Sequence, residues 1–225
     1  MMKHFGWEVE NKNYEEFIFN PTTNYQLQTI NYTVEGDWSG AAFLLVAGAL
    51  AGDIIVEGLD INSAQADKAI VEALRMCGAK ILIKENKISV TSTMLTLFNF
   101  DATDCPDLFP PLVALAAYCN GTSSIKGVHR LTHKESDRAV SLQSEFKKMG
   151  IDIKIEEDIM MINGSGKVNG ANVQSHHDHR IAMACAVAAL QANGETVIND
   201  AEAINKSYPD FYHHLQKLNA NLQAT

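Results

Sequence analysis

Several large protein classes are excluded by what this 225-residue chain has little of. Cysteine is scarce: Cys77, Cys105, Cys119 and Cys185 show no CxxC spacing and sit among apolar residues. That argues against a disulfide framework or a zinc ribbon and reads as buried free thiols in a reducing cytoplasm. Positive charge is short, with 18 Lys and Arg against 27 Asp and Glu, a net charge of −9. An acidic surface argues against nucleic acid and anionic membranes as partners, although a local group of cations can still hold a small anion. The longest apolar run, Ala41 to Ala51, is eleven residues, too short for a bilayer and suited to a buried helix. The opening "MMKHFGWEVE" turns polar at once and is no secretion signal, so the N-x-S/T triplets at Asn31, Asn120, Asn163 and Asn205 carry no weight. "GSGKVNG" (164–170) lacks the GKS/GKT ending of a P-loop and reads as a flexible turn; no dinucleotide fingerprint or nucleophilic triad is present.

What is present is a globular composition, 46% hydrophobic and 20% charged, in a chain long enough for one large domain or two small ones. It also contains a repeat. "MMKHFGWEVE" (1–10), "LRMCGAKILI" (74–83) and "FKKMGIDIKI" (146–155) each read as a helix end, a glycine and a strand, with Gly6, Gly78 and Gly150 spaced 72 residues apart. Asp37, Asp107 and Asp178 each precede an apolar helix, which Gly52, Gly121 and Gly194 end. Short strands follow ("DIIVEG", "TSSIKG", "ETVIND"), then Asp67, Asp137 and Asp210 at the start of a second helix, then a strand pair ("KILIKENKISV", "IDIKIEEDIMMI"). With an opening strand in each unit ("INYTVEG", "LFNFDA", "GANVQSH"), the pattern is βαβαββ with right-handed crossovers. The period is too long for common solenoids, so three units closing into one α/β domain are expected. The units fall at about 36–97, 98–165 and 166–225, the last lacking its strand pair, and 1–35 is the tail of a preceding unit: a helix end and a hairpin. This register implies a chain cut from something longer on its N-terminal side.

Chemistry concentrates in four stretches. In "THKESDR" (132–138), Lys134 and Arg138 are four apart near a helix start, where backbone N–H groups and the macrodipole add positive field. Arg grips phosphate or carboxylate bidentately, and Glu135 can move a proton beside these cations. A plain helix start capped by Asp137 fits the same residues. "HHDHR" (176–180) offers three histidines and an aspartate, but the H-H-x-H spacing does not put ligands on one helix face. Arg180 as a second anion clamp with His179 as its polar neighbour is the better reading, and Asp178 has the register of a helix cap. "INKSYPDF" (204–211) takes in the third unit the place of "THKESDR" in the second and offers Lys206; with Lys134, Arg138 and Arg180 it would complete one positive patch. "DCPDLFPPL" (104–112) puts Asp107 at a helix start with Pro110 and Pro111 in the first turn, either as a cap or as an acceptor for substrate hydroxyls.

"VEGDWSGAAFLL", "PDLFPPLVALAA", "HKESDR", "DHRIAMA" and "NKSYPDF", in that order, resemble the C-terminal portion of the EPSP synthase (3-phosphoshikimate 1-carboxyvinyltransferase) family, and the resemblance runs through nearly all of the chain. It implies an inverse α/β domain with helices inside and sheets outside, one of two such domains flanking a cleft. It implies transfer of the enolpyruvyl group of phosphoenolpyruvate to the 5-hydroxyl of shikimate 3-phosphate by addition and elimination, without metal or organic cofactor, as a step of aromatic amino acid biosynthesis in the cytoplasm. By the same resemblance Asp107 holds shikimate hydroxyls and is a candidate for the 5-hydroxyl proton. Lys134 lies near the same substrate, and Glu135 exchanges a proton at the enolpyruvyl carbon. Arg138, Arg180 and Lys206 hold phosphoenolpyruvate, where glyphosate competes, with His179 beside the arginine. The family's N-terminal Lys-Ser-Arg cluster, phosphate-binding serines and remaining arginine have no counterpart here, so the missing N-terminal domain is an expected partner and the chain alone is expected to be inactive. Arg130 stands where some members carry a substrate-contacting asparagine and is left out of the candidate set. Two alternatives remain: an enolpyruvyl transferase acting on UDP-N-acetylglucosamine, and a non-catalytic anion-binding module of the same fold.

Overall fold

The computed structural model describes residues 2–5, 7–20, 31–132 and 134–223. Gly6, the first of the period-marking glycines, lies outside them. The chain divides into two compact units, Met1–Val34 and Glu35–Thr225. In the first, a 3-10 turn (Met2–Phe5) precedes an antiparallel hairpin of β1 (Glu8–Lys12) and β2 (Glu16–Asn20), joined through Asn13 and Tyr14, both at positive φ.

The second unit is built around three buried helices, α1 (Trp38–Ala51), α3 (Phe109–Tyr118) and α5 (His179–Ala189), which pack on one another. Each is apolar on nearly every side, as a helix without a solvent face must be. Asp37 caps α1 by accepting from Ser39 N and Gly40 N at 3.0 and 2.9 Å. Pro110 and Pro111 sit in the first turn of α3, where no intrahelical N–H is needed. The helices run parallel. Arg180 at the start of α5 reaches Asp107, just before α3, while the last residues of α1 and α3 and the chain just past α5 line one cavity of about 270 Å³.

Around them lie three sheets. The first has strand order β3 (Ile54–Glu57), β5 (Lys87–Thr91), β4 (Lys80–Lys84), all antiparallel, with the short α2 (Ile70–Met76) between β3 and β4 in sequence. The second has order β6 (Asn99–Asp101), β7 (Asn120–Lys126), β9 (Ile159–Ser165), β8 (Asp152–Glu156), with β6 and β7 parallel across α3 and the amphipathic α4 (Arg138–Lys148) between β7 and β8 in sequence. The third pairs β10 (Asn172–Gln174) and β11 (Val197–Asn199) in parallel across α5, and α6 (Phe211–Lys217) follows. Burial alternates along β5 and β9, so one face meets the helices and the other meets solvent. Gly78 and Gly150 end α2 and α4 at φ +86 and +84, the left-handed stop their position demands.

Two local expectations fail. Residues 31–37 form no strand: one backbone bond, Gly36 N to Gly58 O, meets the end of β3. The Gln65 amide takes the next groups, donating to Gly36 O and accepting from Trp38 N. "GSGKVNG" is not a free turn, because β9 runs to Ser165 and a Cβ at Gly164 would lie 2.1 Å from the Ala116 carbonyl. Among the described residues no helix is long and apolar enough to cross a membrane.

Candidate active site

Arg138, the first residue of α4, is 1% exposed, and its guanidinium is taken up by carboxylates from three parts of the chain. Nε donates to Asp178 Oδ2 at 2.8 Å, one terminal nitrogen to Asp107 Oδ1 at 2.6 Å, and the other to Glu135. Asp178 is fully buried and has two tasks: it pairs with Arg138 and caps α5, accepting from Arg180 N at 2.9 Å. Ser136 Oγ also donates to it at 3.1 Å. Asp107 is no cap. Its carboxylate takes Lys134 Nζ on Oδ1 at 3.0 Å and Arg180 on Oδ2 at 3.2 Å, so three cations share one anion. Burial raises the Asp107 pKa, but Arg180, Lys134 and Arg138 outweigh it and hold the carboxyl below its ordinary range. Asp178 is likewise pushed up by burial and held down by Arg138.

The cluster is therefore not the positive patch the sequence suggested. Lys134, Arg138 and Arg180 are balanced by Asp107, Glu135 and Asp178, as burial of an arginine requires. Lys206 stands beside it rather than in it: its Nζ donates to the His177 carbonyl at 2.5 Å, one residue before Asp178. His179 is 5% exposed, and its Nδ1 has no hydrogen-bond partner among the described residues. Burial, then the Arg180 charge, lowers its pKa, which keeps the ring neutral at pH 7.

The histidines of "HHDHR" diverge. His176 Nε2 lies 2.8 Å from Glu145 Oε1, and His177 Nδ1 lies 2.5 Å from Asp200 Oδ2. No group of three His, Cys, Asp or Glu among the described residues is arranged to hold a metal ion.

Sequence reasoning missed three contributors. Asp178 reads as a cap, and nothing local signals its pairing with a side chain 40 residues earlier. Glu145 looks like any helix glutamate. Asp67 reads only as a helix-start marker; burial raises its pKa, and the charge of Asp107 raises it further, against the lowering pull of Arg180, so it is a carboxyl at this same corner.

Three cations and three carboxylates gather where α3, α4 and α5 begin, an arrangement of the kind that binds charged groups and moves protons. Comparisons with known proteins give the family. Residues 1–215 match the family model described as EPSP synthase (3-phosphoshikimate 1-carboxyvinyltransferase), and the chain belongs to that family. It is 41% identical over 217 residues to the 3-phosphoshikimate 1-carboxyvinyltransferase of Clostridium novyi, covering 96% of this chain and 49% of that protein. The Brachyspira hyodysenteriae protein of the same name is 38% identical, with 95% and 51% covered. A solved EPSP synthase from Acinetobacter baumannii superposes with a TM-score of 0.83 at 30% identity, covering 99% of this chain and 53% of that one. The chain spans about half the length of the curated relatives it matches.

Proposed function

We propose that this chain carries one wall of an enolpyruvyl transferase site, which joins phosphoenolpyruvate to the 5-hydroxyl of shikimate 3-phosphate and releases phosphate. The observation that carries this reading is the Asp107 carboxylate, bridged by Lys134, Arg138 and Arg180 with Glu135 on the same arginine. Shikimate 3-phosphate lies against Asp107 and Lys134. Asp107 takes the 5-hydroxyl proton as that oxygen attacks C2 of phosphoenolpyruvate, and Glu135 gives a proton to C3. In the second step a C3 proton returns to Glu135, the C2–O bond to phosphate breaks, and the departing phosphate takes up the proton that Asp107 held. Arg138, Arg180 and Lys206 hold the phosphoenolpyruvate, with His179 against Arg180. Glu135, 39% exposed, is the partner of Arg138 most readily displaced by an incoming anion.

The chain is read as three βαβαββ units at about 36–97, 98–165 and 166–225 after a tail at 1–35, with only the middle one complete among the described residues: the first has no opening strand and the last no strand pair. From Asn99 to Ser165 the order is strand, helix, strand, helix, strand, strand. The opposite wall of the cleft is read as coming from the half of the relatives' length that this sequence does not cover, so catalysis needs both, in the cytoplasm. Four free buried thiols suit that compartment. The test is phosphate release from phosphoenolpyruvate and shikimate 3-phosphate, by the chain alone and mixed with an N-terminal half of the family. Release only in the mixture supports the reading. Release by the chain alone overturns the two-wall requirement, and silence in both overturns the assignment of activity to these residues.

A further inference from the structure

Ser175 to Asp178 form a tight turn, closed by Asp178 N donating to Ser175 O at 3.0 Å. Its two central residues, His176 and His177, have φ of +55 and +57. Turns with both central residues at positive φ are dominated by Gly, Asn and Asp, because a larger side chain is strained there. Two consecutive histidines in this shape are uncommon, and specific bonds hold them in it. On one side is Glu145, fully buried on α4, which accepts from Gln174 N at 2.9 Å and holds the His176 ring at 2.8 Å. On the other is Asp200, which accepts from Ser175 Oγ at 2.8 Å and His177 N at 3.1 Å and pairs with the His177 ring.

The output of the turn is the placement of charges. Its last residue, Asp178, fixes the Arg138 guanidinium and the Arg180 backbone. Its His177 carbonyl holds Lys206. Lys206 touches none of the carboxylates of the cluster, so this carbonyl is the described link between it and the two arginines. Arg138 and Glu145 stand two helical turns apart on one face of α4 and grip the 174–178 segment at both ends.

We propose that the His176–His177 turn, latched by Glu145 and Asp200, is the positioning element that sets Lys206 in register with Arg138 and Arg180. Glu145 and His176 are then positioning residues, none of them touching substrate. This rests on reading the three cations as the phosphoenolpyruvate clamp.

The experiment is a double-mutant cycle on the full chain, with phosphoenolpyruvate affinity read from side-chain resonances of ¹⁵N-labelled protein. His176→Gln keeps a donor for Glu145 and should bind within about twofold of wild type, whereas His176→Leu and Lys206→Met should each weaken binding about tenfold. The combined H176L/K206M protein should be no weaker than K206M alone, because the lysine is out of register once its turn is loosened. Multiplying losses in the double variant, or wild-type affinity in H176L, overturns the proposal. If wild-type chain takes up no phosphoenolpyruvate, the clamp reading fails separately, and hydrogen exchange at Arg138 Nε judges the latch. Faster exchange in H176L than in H176Q supports it, and equal exchange overturns it.

Discussion

The two ends of the α1–α3–α5 bundle are made from the same helices and have opposite characters. At the N-terminal end stand Asp37, Asp107 and Asp178, with Lys134, Arg138 and Arg180 threaded between the last two. At the C-terminal end is a cavity lined by Ala49, Leu50, Tyr118, Asn120 and Gln191, and none of the three helices has a basic residue in its last turn. Helix dipoles alone favour anions at the first end and cations at the second. Among the described residues that line the second end none is charged, whereas the first carries far more charge than capping needs. A buried ion pair offers little net stability over a packed apolar pair, so stability alone gives no reason for the charges at that end, which supports the proposal that they form a binding site.

The largest effect expected on this contrast comes from Asp178→Ala. It leaves Arg138 buried without its main partner and uncaps α5, a loss of about 3–5 kcal/mol in urea unfolding. A loss below about 1 kcal/mol would mean that the charged end relaxes freely and is no rigid site. Leu115→Ala, in the middle of α3 and fully buried, should cost about 3 kcal/mol through lost burial and the cavity left behind. Phosphoenolpyruvate affinity of the folded protein should then stay within about twofold of wild type, since additivity holds for distant sites. A larger drop would show that the middle and the end of the bundle are coupled.

Acid probes the charged end without mutation. Asp107, Asp178 and Glu145 all have folded pKa values below their ordinary ones, with burial opposed in each case by bonded cations or donors. Their contribution is present above the unfolded carboxylate pKa near 4 and is lost as pH falls through the depressed folded values. His179, depressed by burial and by Arg180, follows the same sign from about pH 6.5 downward. Urea unfolding from pH 8 to pH 2 should therefore show a shallow first decline, removed by His179→Gln, and a steeper one below about pH 4, reduced in Asp107→Asn. Each proton taken up costs at most about 1.4 kcal/mol per pH unit. A curve flat down to pH 3 would refute the ion-pair network.

How much of this the sequence carries depends on whether a signal is local. The period of the glycines and aspartates was legible because left-handed stops and N-caps are local chemistry: Gly78, Gly150, Asp37, Asp137 and Asp178 all serve as their positions imply. The same register hid the differences among three equivalent aspartates. Asp37 only caps, Asp178 caps and pairs, and Asp107 only pairs. Which one occurs depends on cations from elsewhere in the chain, which no window contains. The opening strand expected at 30–36, of which 31–36 are described, failed for a similar reason, since Gln65 takes the backbone groups a neighbouring strand would use. Glu145 was invisible because a helix glutamate is ordinarily solvent-exposed.

The smallest effect belongs to the uncharged end and tests whether its lack of charge matters to folding. Gln191 is exposed, lines the cavity and stands just past the C-cap of α5, where the negative end of the dipole faces it. Gln191→Lys should stabilise the chain by about 0.3–1 kcal/mol at low ionic strength and by less at 1 M salt, where screening shortens the reach of the charge to about 3 Å. Affinity for phosphoenolpyruvate should not move, because the new cation lies a helix length from Arg180, about 16 Å for eleven residues. If Q191K instead raised that affinity in a salt-sensitive way, net charge rather than local geometry would govern anion binding, and the contrast between the two ends would be one of degree. If it gave no stability at low salt, the carbonyls at that end are already satisfied by water or by neighbours such as the Tyr118 hydroxyl, which donates to Ala188 O at 2.5 Å.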